Sequence, residues 1–559
     1  MSSAGDSSPL KPSPNNKGAG VAYGVSTEAE DTGENIGLPP DARRQRTVSL
    51  LRYSPAVCLL AVLIADGGRR ADPDLWGHLR FGLAMLQSHR LVLHDPYSYS
   101  APHHLWRNHE WLTEVLMAAV YRQFGVIGLK LMKLALSAAT VAFMLFAMEE
   151  TGASTLVQIG VLLASMIVLE IQMQFRPQLF TFLFLAVMCW LFARYLLRGR
   201  APVWLVLAIF PLWANLHGGF IAGIGALLTF TAVLAIADAR QGRGLSRAFK
   251  CCALSLGAVV STFITPYGIG MWGAVLHALR DPITHRIVSD WRPFPSAIQM
   301  QWRHAPDGLL YYVLFVGIAL MLGASVARSF RWDDAPLVSV AALMYVATAV
   351  SVRNMALAVI ASAAPLARHL ALRSAAPPDG ENQGAGRLRP PRQGMLGQCV
   401  IAAAAIAYAF QTGLFSPRLP WVGGPYPAGA VAFMRRHKLS GNLLCDFNWG
   451  EYLIWHLSPP SRVFVDGRYD TVYPRKVISD WVAFYFDHPG AERVLEDYPH
   501  DYVLITPKSR AYRLVRRAPG WKLIYRDTDS ALFARAGSAA GNLPSPPAVR
   551  PAPPPGFFP

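Results

Sequence analysis

Two carboxylates and an imidazole stand within seven residues of one another in the run Asp72-Pro-Asp74-Leu-Trp-Gly-His78. A positioned carboxylate can take a proton from a hydroxyl, whereas Arg and His can hold the charge on a phosphate. Further groups of both kinds recur along the chain: Asn108-His-Glu110-Trp111, Arg176-Pro-Gln178, Asn215-Leu-His217-Gly-Gly219, Thr265-Pro-Tyr-Gly268 and Arg353-Asn354. Each has a plainer reading. Asp72 and Asp74 would serve as a loop cap, Arg-Pro and Thr-Pro-Tyr-Gly end helices, and a lone His at the end of an apolar run is usually a hydrogen-bonded interface residue. Arg353 could simply snorkel. Only if the fold collects these groups do they amount to an active site.

The elements that would collect them are apolar helices. Of 559 residues, 53% are hydrophobic and only 16% charged, which excludes an ordinary soluble enzyme and indicates a polytopic membrane protein. The net charge of +17 lies in short Lys/Arg clusters between apolar runs. Insertion topology and anionic headgroups account for it, so no nucleic-acid partner is expected. Five of the six cysteines lie in or beside apolar runs and Cys445 stands alone, so neither a disulfide framework nor a zinc site is indicated. Eleven spans are predicted, near 50–65, 127–148, 155–171, 177–197, 202–216, 218–237, 250–265, 309–327, 336–352, 355–372 and 396–415. The stretch 111–124 mixes Glu and Arg into an apolar face, as a helix lying in the interface does.

Charge orients this arrangement. With a cytoplasmic amino terminus, the loops predicted inside hold Arg194, Arg198 and Arg200, then Arg240, Arg243, Arg247 and Lys250, then Arg328 and Arg331, then the arginines of 368–392. The hinges predicted outside hold only Arg176 and Arg353. The loop 149–154 is the exception, predicted inside without a positive charge. All the polar motifs named above then fall on the outer side. A carboxylate costs roughly 2.5–3.5 kcal/mol at the centre of a span, so acidic groups beside lipid usually face a cavity or a substrate path.

The motifs Asp72-Pro-Asp-Leu-Trp-Gly-His-Leu-Arg-Phe-Gly82, His94-Asp-Pro-Tyr-Ser-Tyr99, Trp106-x-Asn-His-Glu-Trp-Leu112, Arg176-Pro-Gln and Trp213-Ala-Asn-Leu-His-Gly-Gly-Phe220 resemble those of a group of bacterial membrane proteins similar to the GT-C superfamily. GT-C proteins are polytopic glycosyltransferases that use polyprenyl-phosphate sugars. The likeness runs from about residue 50 to 535. It implies that an acidic residue of the first outer loop, here Asp72 or Asp74, is the catalytic base. The group often has two Trp before the His where this chain has Trp76-Gly77, so the packing of that loop is expected to differ.

The expected organisation is a disordered cytoplasmic arm (1–47), a GT-C-like transmembrane domain (48–372) with a first outer loop at 66–126, a cytoplasmic linker (373–395), a last span (396–415), a small extracytoplasmic α/β domain (416–535) and a disordered Pro-rich tail (536–559). In the α/β domain, Asn442–Phe447, Arg462–Arg468 and Asp501–Thr506 read as strands, 475–486 and 490–498 as helices, and 521–534 as a hairpin about Asp527 to Ser530. Asp466-Gly-Arg468 and Asp470 could meet an acceptor, although Asp-Gly at a strand end is commonly a turn.

These features lead us to expect a bacterial inner-membrane glycosyltransferase. A polyprenyl-phosphate sugar donor would react at the outer face with inversion. Asp72 or Asp74 would act as base, while His78, Glu110, Arg176, His217, Arg353 and Asn354 would bind substrate and Arg176, His217 and Arg353 would steady the lipid phosphate. No cofactor is required by this reading, which leaves room for a divalent metal. Two alternatives are a transporter or flippase, which would need ionisable groups deep in the spans, and a membrane scaffold displaying the outer domain. Glu170 is the group that most resembles the former.

Overall fold

The computed structural model describes residues 57–65, 71–102, 104–281, 288–374, 393–421, 426–546, 549, 551–553 and 556–559. The expected arm 1–47 and most of the linker 373–395 lie outside the described residues. Every predicted span has a helical counterpart. Among the described residues, six helices are long and apolar enough to cross a membrane: Trp111–Glu150, Thr155–Gln172, Gln178–Arg198, Phe220–Arg240, Leu309–Ser329 and Val352–Leu372. At 1.5 Å per residue, a helix of 21 residues matches a hydrocarbon core of roughly 30 Å. Trp204–Leu216 and Ala335–Val350 are shorter apolar helices, and Ser246–Ser261 and Gln393–Gln411 answer to the predicted spans 250–265 and 396–415.

The 40-residue helix Trp111–Glu150 is interrupted at Gly125, whose φ of 61° and ψ of −151° no side-chain-bearing residue adopts readily. The break falls where the amphipathic stretch 111–124 gives way to the predicted span. Its amino-terminal part is tied to the end of Trp204–Leu216, because Trp111 Nε1 donates to Asn215 Oδ1 (2.9 Å) and Thr113 Oγ1 to the Leu216 carbonyl (2.7 Å).

The chain ends assigned to one side of the membrane also find one another. Glu150 is paired with Arg194 (2.6 Å) and Arg198 (3.0 Å), so the loop 149–154, which has no cation of its own, sits against the cations of the neighbouring loop. Asp238, Arg247, Arg243 and Asp333 form a second chain of pairs, and Arg368 joins Asp334 at 2.5 Å. The hinges bearing Arg176, His217 and Arg353 belong to the opposite helix ends.

The described residues after helix Gln393–Gln411 include a small unit of sheet and helices. Strands β2 (Asn442–Cys445), β3 (Arg462–Val463), β4 (Tyr502–Ile505), β5 (Trp521–Arg526) and β6 (Ala531–Arg535) make a mixed sheet in the order β3-β2-β4-β6-β5. β2 runs parallel to β3 and β4, and β6 antiparallel to β4 and β5. Helices Arg475–Phe486 and Ala491–Asp497 fall where the sequence placed them. The outer edge of β3 does not stay open. Tyr97–Tyr99 of the first loop lies along it, Val463 N–H donating to the Tyr97 carbonyl (3.0 Å) and Tyr99 N–H to the Val463 carbonyl (3.3 Å). Borrowing a segment from elsewhere in the chain removes an exposed edge.

Arg468 fixes that junction. Its guanidinium bonds Asp95 (2.6 Å) from the first loop and Asp466 (2.6 Å) from its own strand end, and it lies 4.8–5.3 Å from the ring centroids of Phe81, Tyr97 and Trp106. The Asp466-Gly-Arg468 motif is therefore a buried clamp, not an acceptor-binding surface.

The tail corrects a second expectation. Phe557–Phe558 (β7) pairs antiparallel with Leu419–Pro420 (β1), and Phe558 is buried against Trp76, Tyr121 and Trp455. Two adjacent aromatic side chains supply apolar area that the Pro- and Ala-rich average conceals.

Candidate active site

Asp72 and Asp74 precede helix Leu75–Ser88, and Asp74 is its N-cap. Asp72 is buried and fully engaged. Its Oδ1 accepts the Asp74 N–H (3.0 Å) and its Oδ2 meets Arg176 Nη2 at 2.9 Å. Asp74 is held more loosely, Oδ2 lying 3.3 Å from the same nitrogen, with 30% of its side chain open. Burial raises the Asp74 carboxyl to about 7; Arg176 opposes that shift, and the neighbouring Asp72 charge adds to it.

Arg176 stands just before helix Gln178–Arg198 and gives its other nitrogen to Asp290 (2.8 Å). Its guanidinium is thus committed to three carboxylates. A phosphate would have to displace one of them, so the expected phosphate-binding role of Arg176 does not match its surroundings. Arg353 differs. It lies in the turn Val352–Asn354, stacks 4.4 Å over the Trp291 ring, and among the described residues is in no ion pair. Asn354 is turned away, its side-chain amide donating to the Ala347 carbonyl (3.0 Å) at the end of Ala335–Val350.

A second group adjoins the first. His78 Nδ1 lies 3.3 Å from Glu114 Oε1 and 4.0 Å from Glu110 Oε2. Glu110 Oε1 is 3.5 Å from His217 Nε2 and 3.6 Å from His109 Nε2. The Gly219 N–H donates to His217 Nδ1 (3.0 Å), which leaves the ring proton on Nε2, facing Glu110. Thr181 Oγ1, which accepts from Trp213 Nε1 (2.8 Å), supports the same imidazole at 2.7 Å.

Charge follows from this arrangement. Burial works against the His78 imidazolium, yet its hydrogen bond to Glu114 and the charges of Glu110 and Glu114 raise it to about 9. For Glu110, burial is outweighed by His109, His78, His217 and Arg353, which bring it down to about 2. Burial lowers His217 to about 3. Among the described residues, His78, Glu110 and Glu114 are the donors that could converge on a metal ion, their ligand atoms lying within 4.8 Å of one another. As they stand they satisfy one another, with Asn108 Nδ2 donating to Glu114 Oε2 (2.5 Å).

Seven of the eight residues singled out in the sequence therefore meet at one end of the bundle: Asp72, Asp74, His78, Glu110, Arg176, His217 and Arg353. Three partners were missed. Asp290 follows a segment without periodicity. Glu114 and Glu451 are acidic residues inside apolar runs, Trp111-Leu-Thr-Glu-Val-Leu and Trp449-Gly-Glu-Tyr-Leu-Ile. An acidic residue so placed must be buried against a partner, and that was the available signal.

No family model matches the chain, and no curated protein matches it in sequence. Solved structures do resemble it in fold. The oligosaccharyltransferase AglB from Archaeoglobus fulgidus, in complex with an inhibitory peptide and a dolichol-phosphate, gives a TM-score of 0.52 at 12% identity, covering 88% of this chain and 75% of that one. The Archaeoglobus fulgidus oligosaccharyltransferase tethered to an acceptor peptide through a disulfide gives 0.51 at 13% identity, covering 86% and 74%. At this identity the likeness is one of architecture. The chain is a polytopic membrane protein with the fold of a GT-C glycosyltransferase.

Proposed function

We propose that the chain transfers a sugar from a polyprenyl-phosphate donor to an acceptor hydroxyl at the extracytoplasmic face of a bacterial inner membrane, with inversion. Asp74 takes the hydroxyl proton as the acceptor oxygen bonds to the anomeric carbon. The bond from that carbon to the phosphate oxygen breaks, and polyprenyl phosphate leaves with its charge held by Arg353. Asp72 and Arg176 hold Asp74 in place. The observation that carries this reading is that a partly open carboxyl, Asp74, and a guanidinium in no ion pair among the described residues, Arg353, lie at the same end of a GT-C-type bundle; burial holds Asp74 up to about 7. A base whose pKa lies near working pH is the efficient one.

The transporter alternative would need ionisable groups deep in the spans. The span 127–148 contains two buried lysines, Lys130 and Lys133. However, Lys130 Nζ donates to the carbonyls of Gly413, Ser416 and Arg418 (2.8–2.9 Å), and Lys133 Nζ to that of Ala65 (2.9 Å) while facing the Phe175 ring. Both tie neighbouring segments of the chain together.

Binding of a polyprenyl-phosphate lipid to the purified protein tests the proposal. Wild type should bind, and Arg353→Lys should bind at least tenfold more weakly, because lysine keeps the charge but lacks the planar fork. Equal binding by the two proteins would remove Arg353 from the phosphate site, and no binding by wild type would remove the donor.

A further inference from the structure

Glu451 is an ionisable group of this site that the transfer chemistry does not use, and it comes from the other half of the molecule. It sits at the start of helix Gly450–Leu457 in the carboxy-terminal domain, only 4% exposed. Its Oε2 accepts the Gly77 N–H at 3.1 Å. Gly77 is in the first turn of helix Leu75–Ser88, whose N-cap residue Asp74 makes no side-chain capping bond. A carboxyl from a distant domain thus does the capping that Asp74 leaves undone.

Two glycines make room for it. A Cβ at position 77 would fall 2.1 Å from Glu451 Oε2, so any side chain there displaces the carboxyl as it is placed. A Cβ at position 467 would fall 2.6 Å from Asp74 Oδ1 and 2.7 Å from Glu451 Oε1. Those two oxygens therefore face each other across a bare glycine, within the roughly 4–6 Å over which one charge moves another's pKa.

The cation that acts on Glu451, Arg468, is already bound to other carboxylates. Arg176, Asp72, His78 and Glu110 surround Asp74, and Asp466, Arg468 and Glu114 surround Glu451. Arg176 is taken by Asp72, Asp74 and Asp290, Arg468 by Asp95 and Asp466, and His78 by Glu114. A buried carboxylate with no cation of its own takes up a proton. Burial, and after it the Asp74 charge, holds the Glu451 carboxyl well above the ordinary range.

We propose that Glu451 is a neutral carboxylic acid of the active site: Oε2 is its carbonyl, accepting from Gly77, and Oε1 carries a proton directed at Asp74. In this arrangement Asp74 changes charge while Glu451 keeps its proton, and the base is set in position only when the carboxy-terminal domain is docked. Glu451 is a positioning residue, and the inference rests on the reading of Asp74 as base.

Infrared difference spectroscopy of the purified full chain at pH 8.5 tests it through the carboxylic acid C=O stretch. Wild type should show a protonated-carboxyl band that is missing from Glu451→Gln and displaced in frequency in Asp74→Asn, where an amide replaces the acceptor. A full band in Glu451→Gln, or an undisplaced band in Asp74→Asn, would overturn the proposal. If Glu451→Gln does not fold, labelling glutamate with carbon-13 in wild type and in Asp74→Asn decides the question by the same displacement. No transfer assay enters, so a chain that shows the band yet transfers no sugar keeps the pair and loses the function.

Discussion

Asp72 and Asp74 are two positions apart, yet the fold gives them different work. Both oxygens of Asp72 are occupied at 2.9–3.0 Å, whereas Asp74 is looser and partly open. Asp74→Asn should therefore lower turnover by about 10²–10⁴-fold without loss of folded protein, the usual cost of removing a general base. Turnover of wild type should rise with pH up to about 7 and level off above it. The same titrations enter stability. His78 is raised from 6.5 to about 9, so the stability it contributes is full below 6.5 and lost as pH rises through 9. Asp74, raised from 3.8 to about 7, loses its contribution as pH rises through 7. The melting temperature should fall between pH 6.5 and 9, and His78→Gln should flatten that fall. A wild-type curve that rises over this range would contradict the assigned charges. Most of these residues were legible in the sequence because each ends an apolar run. The roles of Arg176 and Arg353 were not, since only the fold shows that three carboxylates surround one and an indole faces the other.

At the scale of elements, hydropathy located the helices and glycines located the breaks. Gly125 separates the amphipathic stretch from the span it continues into, and the sequence showed the change of character there without showing that one continuous element bends at that point. The strands and hairpin of the carboxy-terminal domain were legible from short apolar runs. Helix Gly450–Leu457 was missed, because its apolar run carries no distinct period and its Glu has meaning only across the domain junction. Gly77→Ala tests that junction. The added methyl meets the Glu451 carboxyl, which must leave the Gly77 N–H to admit it, so a loss of about 1–3 kcal/mol in stability is expected, as for overpacking. An unchanged melting temperature would mean that Glu451 does not cap this helix.

For the molecule as a whole, the first loop and the carboxy-terminal domain form one structure locked by Arg468. Removing that guanidinium leaves Asp95 and Asp466 buried without a cation, so Arg468→Met should cost about 3–5 kcal/mol and open the carboxy-terminal domain to proteolysis. Sequence could not reveal this clamp, because its partners are 373 residues apart. The proposed topology can be tested separately: Ser246→Cys should react with an impermeant thiol reagent only from the cytoplasm and Lys508→Cys only from outside. Reaction of both from one side would displace the active site from the outer face.

The central claim is that this chain consumes a polyprenyl-phosphate sugar with Asp74 as base, and the most direct measurement is mass spectrometry of the polyprenyl-phosphate sugars in cells lacking the protein. The account predicts that one such lipid accumulates, that wild type clears it, and that Asp74→Asn, expressed in the membrane at the same level, leaves it in place. Clearance by Asp74→Asn as complete as by wild type, or no accumulation in the deleted strain, would contradict it.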